Sequence, residues 1–242
     1  MFKRVVIKLS GEALAGEQQH LHFDDRIISG IISQIKTLID QGTEVAIVVG
    51  GGNFWRGKNS KNGMDKVKSD QIGMMATVMN AVYLSDMFEE AGVESVVLTP
   101  VIIGTVTQQF SKKAALKYMA EKNVIIFAAG TGHPFFSTDT IAAIRTAELE
   151  ACALLFAKNG VDGVYDSDPR QNNKAVKMRY ITYRDVIQNN LTVIDTAASA
   201  ICEEQKILSI IFELNEPNAI LTCASGDDEK IYEIGTKVTV EK

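Results

Sequence analysis

Six short apolar runs separated by amphipathic stretches predict an α/β protein: a three-layer sandwich in which a mostly parallel open sheet carries helices on both faces. Two further observations agree. The runs are near-continuously apolar, as strands covered on both faces are, and glycine clusters follow several of them, where open parallel sheets place their ligand loops.

The runs are RVVIKL at 4–9, TEVAIVV at 43–49, VESVVL at 93–98, NVIIFAA at 123–129, ACALLFA at 151–157 and ILSIIFE at 207–213. Between the first two, Ile27, Ile28, Ile31, Ile32, Ile35, Leu38 and Ile39 recur at helical spacing, and Gly42 stands where a helix C-terminus prefers glycine. That is a strand–helix–strand unit. Further helices are expected near 70–91, 111–121 and 138–149, and EIGTKVTV is expected to add a last edge strand. No internal repeat, low-complexity tract or Pro/Ser-rich linker interrupts the chain. It therefore reads as one domain, 1–242, with two functional halves meeting near residue 150.

Composition removes several functions. The 242 residues are 46% apolar, with 18 Gly and 4 Pro, which excludes disordered and collagen-like chains. The net charge of −5, with basic residues scattered, lacks the footprint of a nucleic-acid binder. Cys152, Cys202 and Cys223 show neither CxxC spacing nor a nearby His pair, so they read as buried small apolar residues rather than a disulfide framework or zinc site. The N-terminal apolar run is short and broken by Lys8, too brief for a signal peptide or membrane span, and a cytoplasmic location is expected.

Three loops suit phosphate. KLSGEAL at 8–14 places Lys8 at a strand end, followed by Ser10 and Gly11; the ammonium supplies charge and glycine admits close backbone approach. GGGNFWRG at 50–57 puts three glycines after a strand, with Arg56 in reach of an anion. AGTGHPFFSTDT at 129–140 runs into a helix that Ser137, Thr138 and Asp139 can cap. A fourth loop, AKNGVDGVYDSDPR, carries Asp162, Asp166 and Asp168, suited to orienting lysines, to a ribose or to Mg²⁺. Each has an ordinary reading as a turn or cap. GxxxxGK[ST] and GxGxxG are both missing, so neither a P-loop kinase nor a dinucleotide-binding dehydrogenase is indicated. His20, His22 and His133 have no metal spacing and no nucleophile partner.

Taken in order, KLSGEAL, GGGNFWRG, SDQIGMMATVMN, AGTGHPFFSTD, NGVDGVYDSDPR and TYRDV resemble the bacterial-type uridylate kinases of the amino-acid kinase superfamily. The resemblance spans most of the chain, and TGxPFF(S/T)TD separates it from the carbamate and acetylglutamate kinases. It implies an amino-acid kinase-like fold and ATP-dependent phosphorylation of UMP to UDP in pyrimidine biosynthesis. Lys8, Leu9, Ser10, Gly11, Gly52 and Arg56 would meet the ATP phosphates, and Asn159, Tyr165 and Asp168 the rest of ATP. UMP would contact Gly51, Asp70, Thr131, Gly132, His133, Pro134, Phe135, Phe136, Ser137 and Thr138. The N-terminal half, 1–150, would then bind UMP and 151–242 ATP.

Lys8 is the expected transition-state cation, with Asp162 orienting the catalytic lysines and Lys158 a second candidate cation. Mg²⁺ is expected to bridge ATP oxygens, and no protein-built metal site is assigned. The resemblance further implies a homohexamer, inhibition by UTP and activation by GTP. Two departures stand out: His133 occupies a position where relatives often have Asn, and AGEQQHLHFD at 15–24 replaces a glycine-rich segment associated with the GTP response. A sibling acting on a carboxylate is disfavoured by PFFSTD and Asp70, and a non-catalytic nucleotide sensor by Lys8 and Asp168.

Overall fold

The computed structural model describes residues 1–16, 22–57, 61, 63–167, 172 and 174–241. Among them one nine-stranded sheet runs through the chain in the order β4-β3-β5-β2-β1-β6-β8-β9-β7. The strands are β1 (Arg4–Leu9), β2 (Glu44–Val49), β3 (Ser95–Thr99), β4 (Gln108–Gln109), β5 (Val124–Phe127), β6 (Ala153–Lys158), β7 (Tyr180–Thr182), β8 (Ser209–Glu213) and β9 (Gly235–Thr239). All neighbours pair in parallel except β8 and β9. The fold class is the one the apolar runs predict. The tail segment does form β9, but it is not an edge: β7, three residues long, pairs outside it.

The nine helices among the described residues are α1 (Gly11–Ala15), α2 (Asp25–Asp40), α3 (Lys66–Glu90), α4 (Lys112–Ala120), α5 (Thr138–Glu148), α6 (Tyr183–Gln188), α7 (Thr196–Glu204), α8 (Ala219–Ser225) and α9 (Asp228–Ile234). Most begin where a short polar side chain replaces the missing backbone acceptors. Asp24 caps α2, Asp65 caps α3, Ser111 caps α4, Ser137 caps α5 and Asp195 caps α7. Asp65 explains why α3 starts four residues earlier than its apolar residues suggest.

Strand alternation divides the core in two. Val5, Ile7 and Leu9 of β1 face the layer containing α2, α3, α8 and α9, where Ile28, Ile35, Leu38, Leu84 and Phe88 are buried. Val6 faces the other layer, with Met119, Ile141, Ala142, Val186 and Ala198. In β6, Ala153, Leu155 and Ala157 take the first face, and Leu154 and Phe156 the second. Fully burying each large aliphatic side chain is worth about 1.5–3 kcal/mol, so register is fixed: a slip by one residue would exchange the faces. Cys202 and Cys223 are buried as expected, whereas Cys152 is exposed because it lies just before β6, outside the sheet's cover.

Candidate active site

The same alternation that sorts the core also aims two lysines. Lys8, two residues after Val6, and Lys158, two after Phe156, end neighbouring parallel strands on the face covered by α5. There, at the first turn of α5, Asp139 lies between them: its Oδ1 is 2.9 Å from Lys8 Nζ and its Oδ2 3.3 Å from Lys158 Nζ. All three side chains are largely buried, with 10%, 18% and 15% of the side chain exposed for Lys8, Lys158 and Asp139. Burial alone would raise the Asp139 pKa, but the two ammonium groups outweigh it and hold the carboxyl below its ordinary value. Lys158 is shifted down, mainly by burial and also by repulsion from Lys8, against the attraction of Asp139. The triad carries a net positive charge at the carboxyl ends of the central strands, where an anion is stabilised.

Asp162 does not take part. Its carboxylate accepts from the Tyr165 hydroxyl at 2.9 and 3.0 Å and pairs with Lys177 at 3.4 Å. The lysine-orienting carboxylate expected at 162 is supplied by Asp139, which reads from sequence as a helix cap. What could have found it is parity: both lysines stand in even register with Val6, Leu154 and Phe156, on one face.

Two clefts flank the triad. The first, about 340 Å³, is lined by Gly51, Gly52, Trp55, Asp70, His133, Phe136, Ser137 and Thr138 among others. It thus unites Gly51 and Asp70 with part of the 131–138 loop. Thr131, Gly132, Pro134 and Phe135 belong to that loop but do not line the cleft. Sequence reasoning missed Trp55, Gly57, Ser69, Gly73, Met74, Thr77, Gly130 and Ile141. The run 70, 73, 74, 77 is helical spacing and marks the face of α3 turned to the cleft. Gly52, expected at the ATP phosphates, lines this cleft.

Polar residues on α3 hold the loops in place. The Asn80 amide donates to Gly50 O at 2.6 Å and to Asn53 Oδ1 at 2.8 Å, and Thr77 Oγ1 accepts from the Ala129 N–H at 2.8 Å. Asp70 is not a cap, since Asp65 fills that position; its Oδ2 accepts from the Phe135 N–H at 2.8 Å. Phe135 has φ +72°, a left-handed conformation costing about 1–2 kcal/mol. A hydrogen bond to a charged group, worth about 1.5–3 kcal/mol, offsets it.

The first two glycine loops touch. A Cβ at Gly11 would lie 2.4 Å from Asn53 Oδ1 and 2.6 Å from Gly52 N. Glycine is required there because the loops after β1 and β2 pack backbone to backbone. Ser10 caps α1 through the Ala13 N–H at 3.1 Å, and Arg56 is paired with Glu12 at the loops' exposed rim.

The second cleft, about 520 Å³, runs from Lys158 along Gly160, Asp162, Gly163, Tyr165 and Asp166 to Asn190 and Val193. It gathers Tyr165 and Asp162. Asn159 is turned to the opposite side of the sheet, where its Oδ1 accepts from the Asn215 amide at 3.3 Å. Asp168 lies outside the described residues, as do residues 17–21 of segment 15–24. No group of three or more His, Cys, Asp or Glu among the described residues is arranged to hold a metal ion, and no described helix is long and apolar enough to cross a membrane.

Fold and site together define a class: the chain belongs to the amino acid kinase family, whose profile matches residues 3–213. Within that class it is similar to solved UMP kinases. The enzyme from Bacillus anthracis is 32% identical with a TM-score of 0.93, over 100% of this chain and 97% of that one. The UMP kinase of Ureaplasma parvum is 37% identical with a TM-score of 0.90, over 99% of each chain. The uridylate kinase of Archaeoglobus fulgidus is 25% identical with a TM-score of 0.74, over 97% and 99%.

Proposed function

We propose that the chain transfers the γ-phosphoryl group of ATP to UMP, giving UDP and ADP, with the first cleft as acceptor site and the second as donor site. The observation that carries it is the Lys8–Asp139–Lys158 triad between the two clefts. A phosphate oxygen of UMP attacks the γ-phosphorus; the new P–O bond forms as the bond to the β-bridging oxygen breaks, and ADP leaves with its electron pair. The UMP phosphate is already an anion at neutral pH, so the step needs no general base. Catalysis is positioning and charge stabilisation. Lys8 neutralises charge growing on the transferred group, Lys158 assists, and Asp139 holds both ammonium groups in place.

Mg²⁺ would enter as part of the MgATP substrate. The described residues offer no multi-carboxylate cage, which suits an ion that keeps phosphate oxygens and waters as ligands. The reading divides the single domain into an acceptor half, roughly 1–150, and a donor half, and it puts the enzyme in the cytoplasm, in pyrimidine nucleotide biosynthesis. The test is ADP release measured across a panel of nucleoside monophosphates: UMP should far exceed AMP, GMP and CMP, and a flat profile or no release would remove the proposal.

Asp70 is assigned to the ribose. Wild type should prefer UMP to its 2′-deoxy analogue by on the order of ten- to a hundredfold in kcat/KM, because dUMP leaves a desolvated acceptor unpaired. In Asp70→Ala that preference should collapse while KM for ATP barely moves. A ratio unchanged by the mutation would leave Asp70 with the Phe135 loop alone.

The exposed face of α3 supports an assembly. It buries Ala76, Thr77, Asn80, Ala81, Leu84 and Phe88, while Ile72, Met75, Met79 and Val82 stand 40–49% exposed on another face. An exposed stripe of this kind suits a second copy of the chain, within a homohexamer built from dimers and responsive to UTP and GTP. Sedimentation at micromolar concentration should show the oligomer; monomer alone would overturn it.

A further inference from the structure

The family match ends at residue 213, yet residues beyond it touch the walls of the donor cleft from behind. Thr236, in β9, is fully buried. Its hydroxyl accepts from the Val164 N–H at 2.9 Å and donates to Met178 O at 2.7 Å. The Met178 N–H in turn donates to Val164 O at 2.7 Å, and Tyr165 and Lys177 form the next bridge along. One hydroxyl therefore clamps both arms of a hairpin at its base, and the near arm, Asp162 to Ser167, lines the donor cleft. Gly163 has φ +148°, and a Cβ there would lie 2.7 Å from Thr236 Oγ1. Glycine is needed so that the arm can lie against the hydroxyl. A second tie runs parallel to the first: Lys177 Nζ donates to Glu233 O at 2.8 Å and reaches the Asp162 carboxylate at 3.4 Å.

Resting on the donor-site reading of the second cleft, we infer that the C-terminal strand is part of the donor site, with Thr236 the positioning residue that sets the wall against which ATP binds. Thr236 does not line the cleft and acts through Val164 and Gly163. Removing its hydroxyl leaves a buried N–H and a part-buried carbonyl each short of a partner, and the wall shifts to find others. The acceptor cleft, built from α3 and the loops after β2 and β5, shares none of these bonds, so the effect is confined to one substrate.

Calorimetry separates this from a general structural role. The magnesium complex of the non-hydrolysable analogue AMP-PNP and UMP are titrated separately into wild type, Thr236→Val and Thr236→Ser. Thr236→Val should weaken AMP-PNP binding roughly tenfold and leave UMP binding unchanged, and Thr236→Ser, which keeps the hydroxyl, should restore it. A folded Thr236→Val with wild-type AMP-PNP affinity, or one weakened equally toward both nucleotides, overturns the inference. Should Thr236→Val not fold, Lys177→Met at the second tie carries the same test, with the same split expected and its absence decisive. Wild type that fails to bind AMP-PNP would instead remove the donor-site reading itself, and the inference with it; wild type that binds both nucleotides with no split in the variants removes the inference alone.

Discussion

Lys8→Met is expected to fold and to lose turnover by about a hundredfold or more, with a much smaller change in UMP affinity. Methionine matches the unbranched stem that packs at the end of β1 and removes only the charge. The remaining Asp139 and Lys158 still form a pair, so the protein keeps a compensated interior. What is lost is a cation whose value is greatest when negative charge moves toward the bridging oxygen, and one such contact is worth about 3–4 kcal/mol. Steady-state kinetics beside a thermal melt check both halves of the expectation. A variant with near-normal kcat would take Lys8 out of the chemistry.

Asp139→Asn should be costlier to the fold and comparably damaging to the reaction. The substitution leaves Lys8 and Lys158 facing each other without their shared counter-charge, and breaking a buried pair by removing one partner costs about 3 kcal/mol. For a chain of this size that is a fall in Tm of roughly 6–12 °C. The amide cannot hold two ammonium groups as a carboxylate does, and misplacing a catalytic cation by an ångström costs about a hundredfold in turnover. Because the Asp139 pKa is held below its unfolded value, its contribution to stability is fully present above the unfolded value of about 3.9 and is lost as pH falls through the depressed folded value. Wild type should therefore lose more of its stability than the variant below about pH 4. Equal melting temperatures at neutral pH would show that the triad does not stabilise the fold.

The sheet was legible because its central strands are buried on both faces: near-continuous apolar runs, each followed by glycine within a few residues, mark β1, β2, β5 and β6 with little ambiguity. Most of the elements that escaped are those whose length gives no period: β4 has two residues and β7 three, and α1, α6, α8 and α9 span at most seven. The nine-residue α7 escaped as well. A capping box was nevertheless present in TYRD, where Thr182 and Asp185 bond reciprocally at the start of α6. At the site, loops could be read because phosphate chemistry asks for Gly, Lys and Ser in a row. Asp139 was passed over because its role emerges only from the parity that puts Lys8 and Lys158 on one face of the sheet, and a cap is the commoner use of such a residue. The partners of Asp162 were equally hidden: carboxylate and glycine in a turn suggest a ligand, and only the folded hairpin shows its carboxylate bonded to Tyr165 and Lys177 rather than to Lys8 or Lys158.

β1, made long before β6, is a middle strand of the finished sheet, with Lys8 opposite Val48 on one side and Phe156 on the other. Until β6 is synthesised, β1 offers newly made chain an open edge of unpaired peptide groups flanked by Val5, Ile7 and Leu9, the kind of template on which misassociation begins. The two lysines cannot be brought together by any shorter piece of the polypeptide. The meeting of the two lysines and the closing of that edge therefore arrive in the same event, once β6 is made, and a fragment released before it would be both inert and prone to aggregate.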